Sequence, residues 1–335
     1  MKTLTKNPID VVIAWVDGED PNHRKKRLRF LNKNKLENLP GADETRFHSL
    51  NEVKYCVLSI LKFAAFVRNI FIVTDKQVPD VENAVKSFFP ERLKDIRIVD
   101  HTEIFEGYEK FLPTFNSICI SNMLWRIKGL SKQFVYFNDD IFLVRPITPN
   151  DWFRNDRPVL RGKWFFPPYE RLIFDSIKRF FLEIRRTKNK IELPASFQVN
   201  QWTAAALLGF SFRYFKSGHT PLAMDKSRLE TFFNSHPDIL KNNISHRFRN
   251  YYQFNTVSLA NHLEIKSGNT NFASSQVVYM QPHNRGKLYV DKKFNLCKEN
   301  PDNLFLCVQS LDQATSSDQK KVINQMESIL NILNE

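Results

Sequence analysis

In the first half of the chain, short unbroken apolar runs alternate with longer stretches of helical spacing. IDVVIAWV (9–16), NIFIVTD (69–75), DIRIVDH (95–101) and QFVYF (133–137) read as strands buried in a parallel sheet. Between them, residues 20–37 open with Asp20-Pro21, a capping residue followed by a first-turn proline, and predict a helix. Residues 49–66 place Val53, Val57, Ile60, Leu61 and Ala64 on one stripe. Further helices are predicted around 80–89 and over 115–128. The alternation predicts an α/β fold, with a mostly parallel sheet covered by helices on both faces.

The strands end in acids: Asp17, Asp75, Asp100 and the pair Asp139-Asp140. Parallel strands bring their C-terminal ends to one edge, where open α/β sheets bind ligands. A single Asp there is ordinary turn and cap chemistry, the favoured account of Asp75 and Asp100. Two adjacent carboxylates after Phe134-Val135-Tyr136-Phe137 need more, because burying an unpaired carboxylate costs on the order of several kcal/mol. A metal ion, a basic partner or solvent must compensate. Mg2+ or Mn2+, held by hard oxygens together with substrate phosphates, suits an Asn-Asp-Asp at a strand end.

Beyond residue 150 the alternation stops. Residues 1–160 and 201–335 are read as two parts of one catalytic domain, the second completing the active site, with a mainly helical basic insertion over 161–200. ERLIFDSIKRFFLEIRRTKNK (170–190) is amphipathic. It suits an anionic membrane surface, although a helix packed on the main domain with a solvated basic face is the favoured reading. In SGHTPLAMDK (217–226), His219 lies on a turn rather than an apolar face. In HRFRNYYQFN (246–255), Arg247 and Arg249 would share a face if extended and could grip phosphate as forks, or each could form a surface ion pair. HRKKRLR (23–29) reads first as a solvated helix face.

The 335 residues carry 42% hydrophobic side chains and a net charge of +13, ample for a core and suited to anionic partners. No apolar run reaches the length of a signal core or a membrane span, so a cytoplasmic protein is expected, at most peripheral on the inner membrane face. Cys56, Cys119, Cys297 and Cys307 lack zinc-site spacing and are expected as buried thiols.

Four blocks together resemble the Stealth family of sugar-phosphate transferases: IDVVIAWVDGEDP (9–21), the stretch from RFHSLNEVKY to TDKQVP (46–79), LPTFNSICISNMLWRIKGLSKQFVYFNDDIFLVRP (112–146), and GHTPLAMDK with HRFRNYYQF followed by LFLCVQSLDQATSSDQ (304–319). The resemblance implies a GT-A-like fold that transfers hexose-1-phosphate, usually N-acetylated, from a UDP-sugar to an acceptor hydroxyl of an anionic polysaccharide or oligosaccharide, releasing UMP. It maps the family's acidic pair onto Asp139 and Asp140, its first-strand polar residue onto Asp17, its His onto His219 and its Arg onto Arg249. Metal binding is expected at Asp139 and Asp140, and donor binding at Asp17, Gly18, Arg46, Asn116, Arg126 and Arg247. Arg249 would clamp the transferring phosphoryl group, with His219, or else Asp17, as the base. Two positions depart from the pattern: Ser121 stands where an acid is usual, and Cys307-Val308-Gln309-Ser310 replaces Cys-Leu-Asn-Asp. The rival readings are a transferase that moves the sugar alone and releases UDP, and a nucleic-acid-binding protein motivated by Tyr251 and Tyr252 beside the two arginines. No nucleic-acid motif supports the latter, and no nucleic-acid partner is expected.

Overall fold

The computed structural model describes residues 7–33, 50–184 and 195–332. Strands β1 (Ile9–Ala14), β2 (Ile70–Thr74), β3 (Ile96–Asp100) and β4 (Gln133–Asn138) form the parallel part of a five-stranded sheet, in the spatial order β4-β1-β2-β3 with β1 at the centre of the sheet. The fifth strand, Leu222–Asp225, runs antiparallel to β4 on the other side. Register is continuous along β1, from Ile9 opposite Gln133 to Ala14 opposite Asn138. The expected α/β class and mainly parallel sheet are therefore what the chain forms.

The unbroken apolar run of β1 has a simple cause. Val11 and Ile13 point into a core containing Val53, Val57 and Leu61 of helix α2 (Glu52–Phe63), whereas Val12 points into a second core with Phe233 and Leu259. A strand covered on both faces has no solvent side on which to place polar residues. The exception, Asp10, is fully buried and satisfied: Arg68 donates to it from Nε (2.8 Å) and Nη2 (2.5 Å), and the Ser131 N–H donates at 2.7 Å.

Helices α1 (Pro21–Lys33) and α3 (Glu82–Phe88) lie within the predicted segments. The helix predicted over 115–128 does not form as one element. It is a five-residue helix, Ser117–Ser121, followed by a 3-10 turn, Leu124–Arg126. Asn122 lies between them, its side chain donating to Ile118 O at 2.8 Å and its carbonyl accepting from the Trp125 indole at 2.9 Å. Such local side-chain bonds compete with helix continuation.

The second half of the chain returns to the first. After β4, the short strand β5 (Ile141–Leu143) pairs with Phe305–Val308, which pairs with Val277–Met280. This three-stranded sheet and the strand Leu222–Asp225 bring C-terminal residues to the ends of β1 and β4. All four cysteines are buried and free, as expected.

Candidate active site

A cavity of about 710 Å³ opens at the C-terminal ends of β1 and β4. Its volume falls within the range of small-molecule sites. Asp139 and Asp140 occupy the turn from β4 to β5 in its wall, and Glu52, the first residue of α2, faces them. Burial, then the charges of Asp140 and Glu52, hold the Asp139 carboxyl well above its ordinary range. Burial and Glu52 push Asp140 up to about 7 against hydrogen bonds from Cys307 and Gln309. Asp140 Oδ1 is buried and takes no hydrogen bond among the described residues.

This carboxylate site needs positive charge and has an oxygen to offer it. Hard oxygen donors, mutual repulsion and an orphaned oxygen fit a Mg2+ or Mn2+ ion completed by phosphate and water. Among the described residues, no three His, Cys, Asp or Glu side chains converge as a full metal-ligand set, so the protein would supply part of the coordination shell.

Arg249 projects into the cavity from the loop after residue 245, and its Nη2 donates to Ser117 Oγ at 2.7 Å. Asn116 fixes this relationship. Its Oδ1 caps the helix Ser117–Ser121, while its Nδ2 donates to His246 O (2.9 Å), Phe248 O (2.8 Å) and Gln253 Oε1 (2.9 Å). Asn116 thus staples the helix carrying Ser117 to the loop carrying Arg249. Expected to bind donor, it lines the cavity with its amide already engaged by protein.

His219 also lines the cavity, stacked on Phe197 (centroids 5.4 Å apart, planes 16° apart) and beside Tyr279. Burial and then the Arg249 charge lower its pKa from 6.5, so the imidazole is neutral at pH 7. Gln309 Nε2 lies 3.1 Å from His219 Nδ1, and Gln309 Oε1 accepts from Tyr279 OH at 2.7 Å. The Gln309 amide therefore touches both His219 and Asp140. Ser121 is also in the wall, its Oγ 2.9 Å from Thr256 Oγ1.

The remaining expected residues lie elsewhere. Asp17 and Gly18 do not line the cavity: the Asp17 backbone is clasped by the Gln77 amide (2.9 and 2.7 Å) and its carboxylate accepts from Glu19 N. Arg126 donates to the carbonyls of Ile104 and Glu106, and Arg247 donates to Pro113 O and lies over Phe30. The 246–251 segment is not a strand, so Arg247 and Arg249 diverge rather than share a face. Arg46 lies outside the described residues.

Asp100 caps a helical turn through Thr102 N, the ordinary role favoured for it, whereas the Asp75 carboxylate instead pairs with Lys26 at 2.9 Å. The basic cluster of α1 is not simply solvated, because His23 and Arg27 are buried. Tyr251 is buried too, whereas Tyr252 is 62% exposed, so only one of the two aromatic rings behind the nucleic-acid reading faces solvent. Glu52, Ser117, Phe197 and Tyr279 escaped notice in the sequence, being single common residues far from any acidic or basic cluster. The departures at Ser121 and Gln309 pointed to the same wall.

Residues 7–35 match the model of Stealth protein conserved region 1, and residues 46–159 match that of conserved region 2. Asp17, Asp139 and Asp140 fall inside these matches, whereas His219 and Arg249 fall beyond them. A capsular polysaccharide phosphotransferase of Neisseria meningitidis serogroup B is 38% identical over 164 residues, 47% of this chain and 42% of that protein. The exopolysaccharide phosphotransferase SCO2594 of Streptomyces coelicolor is 32% identical over 274 residues, 81% of this chain and 41% of that protein. The alignments thus cover less than half the length of these curated relatives. Among solved structures, the galactosyltransferase LgtC in complex with donor and acceptor sugar analogs aligns over 97% of this chain and 96% of its own, with a TM-score of 0.43 and 10% identity.

Proposed function

The chain belongs to the Stealth family, and from that membership we propose that it transfers hexose-1-phosphate, the hexose N-acetylated, from a UDP-sugar to a hydroxyl of an anionic glycan acceptor in capsule or other cell-surface polysaccharide synthesis. One observation carries this reading: a single cavity gathers the Asp139-Asp140 pair, Arg249 and His219 from both halves of the chain. Those groups suit a phosphoryl centre, where positioning and charge stabilisation dominate catalysis.

In this scheme the acceptor oxygen attacks the phosphorus bonded to the sugar oxygen. The new O–P bond forms as the bond to UMP breaks, and the sugar C1–O bond stays intact. Asp139 and Asp140 would hold Mg2+ or Mn2+, which when bound neutralises charge on the diphosphate. Arg249, held by Ser117, donates to the non-bridging oxygens of the transferring group. Of the two side chains expected to take the acceptor's proton, His219 lines the cavity and Asp17 does not, which favours neutral His219 as the base. UMP and one proton are released overall. Work at the periphery of a membrane, on the side where the nucleotide sugar is held, completes the reading.

A donor labelled with radioactive phosphorus in the phosphate nearest the sugar tests it. The proposal requires the label to enter the acceptor as a phosphodiester. Label retained in the nucleotide, with unlabelled sugar added to the acceptor, assigns the protein to glycosyl transfer.

A further inference from the structure

The amphipathic segment forms the helix Tyr169–Ile184, but it lies the other way round from a packed surface helix. Asp175, on its polar side, is buried and paired with Arg171 at 3.6 Å. Leu172 anchors the helix against Val199 and Tyr251. The apolar stripe faces outward: Ile173, Phe174, Ile177, Phe180 and Phe181 are each half or more exposed, with Phe174 at 66%. The packed-helix reading of 170–190 is thus overturned, and residues 185–190 lie outside the described part.

The face continues beyond this helix. Tyr169 OH donates to Ser211 O at 3.1 Å, and the rings of Phe166 and Phe212, 67% and 72% exposed, meet edge to face at 5.4 Å. Two stretches of chain, 166–181 and 211–212, therefore build one Phe-rich surface. Monomeric soluble proteins rarely leave such a patch to water.

Cations accompany it. Lys178 is exposed on the helix, Lys163 and Arg213 are exposed beside the aromatic residues, and Lys216 lies over the Phe165 ring at 4.9 Å. Among the described residues of this helix, the exposed acid is Glu170, in the first helical turn. Exposed Phe and Ile flanked by Lys and Arg suit an anionic lipid surface, where the rings enter the acyl boundary and the cations meet headgroups. Pairing of two such faces from chains of net charge +13 would instead bring like charges together. Among the described residues no helix is long and apolar enough to cross a membrane.

We infer that the surface made by Ile173, Phe174, Ile177, Phe180, Phe166 and Phe212 docks this protein on anionic lipid. The docking is linked to the cavity through one element. Strand Tyr214–Lys216, paired with Lys163–Phe165 beside the patch, runs directly into Ser217, Gly218 and His219 of the cavity wall. The cavity is thereby held close to the lipid surface.

Flotation of the full chain with vesicles of phosphatidylglycerol and phosphatidylcholine, or of phosphatidylcholine alone, tests this. The protein should float with the anionic vesicles and be released by salt. Phe174→Ser with Phe180→Ser, and separately Lys178→Glu with Arg213→Glu, should each weaken partitioning on the order of a hundredfold. Circular dichroism melting checks that both variants are folded. Nucleotide release on a water-soluble acceptor should stay unchanged, so failure of the docking and failure of the proposed reaction are read separately. No flotation of the wild type, equal flotation with neutral vesicles, or full flotation of both variants overturns the inference. So does a concentration-dependent dimer that Phe174→Ser disperses without any vesicle binding, which assigns the face to a second copy.

Discussion

Gln309 Nε2 lies 3.1 Å from Nδ1 of His219, and the other end of the same amide accepts from Tyr279. With an N–H facing Nδ1, the neutral imidazole carries its proton on Nε2. To accept a second proton, His219 needs an acceptor at Nδ1, which Gln309 provides only by turning its amide away from Tyr279. Gln309→Glu supplies an acceptor outright. It should raise the His219 pKa and move the acidic limb of the pH–rate profile to higher pH, because the base must be deprotonated to act. An unmoved limb would remove His219 as the base.

The carboxylate pair should trade stability for chemistry. Asp139 and Asp140 both have raised pKa values from burial and neighbouring acids, so Asp140→Asn relieves repulsion in the metal-free protein. Its melting temperature should rise while transfer falls by about a hundredfold or more. Mg2+ or Mn2+ should raise the melting temperature of the wild type but not of the variant, as thermal-shift assays can measure.

Arg249→Lys keeps the charge but loses the planar fork, and should cost on the order of a hundredfold in kcat with a smaller change in KM. Asn116→Ala should also lower kcat, because it frees the loop that aims Arg249. Unlike Arg249→Lys, it should destabilise the fold by about 1–3 kcal/mol, leaving buried partners unsatisfied. Urea unfolding of the two variants separates aiming from contact.

His262 makes stability pH-dependent far from the carboxylates. It is fully buried, with Nε2 accepting from Phe215 N at 3.0 Å and Nδ1 donating to Ser258 O at 2.6 Å, and burial lowers its pKa from 6.5 to about 4. Between these values the unfolded chain binds a proton that the folded chain refuses. Stability should therefore be intact above pH 6.5 and fall progressively toward pH 4, by about 3 kcal/mol from this residue. Denaturant titrations of the wild type and of His262→Gln across that range check it, and a pH dependence left unchanged by the substitution would contradict it.

The parallel strands and the acidic turn were legible because a strand buried on both faces and a double acid at its end are strong local signals. Assembly of the cavity wall was not. Arg247 and Arg249 look equivalent in HRFRNYY, yet Asn116, more than a hundred residues earlier, turns one toward the cavity while Pro113 and Phe30 hold the other. Asp17 ends the first strand as convincingly as Asp139 ends the fourth, but its backbone clasp with Gln77 is a contact between distant segments. The amphipathic helix was visible, whereas its outward apolar face depends on Leu172 and Asp175 finding partners beneath it.

The most direct measurement is the identity of the nucleotide released when the purified protein meets UDP-N-acetylglucosamine, Mg2+ or Mn2+ and short capsule-type acceptors, with Asp139→Ala as control. Transfer of hexose-1-phosphate requires UMP, lost in the variant. Release of UDP in its place would contradict the account.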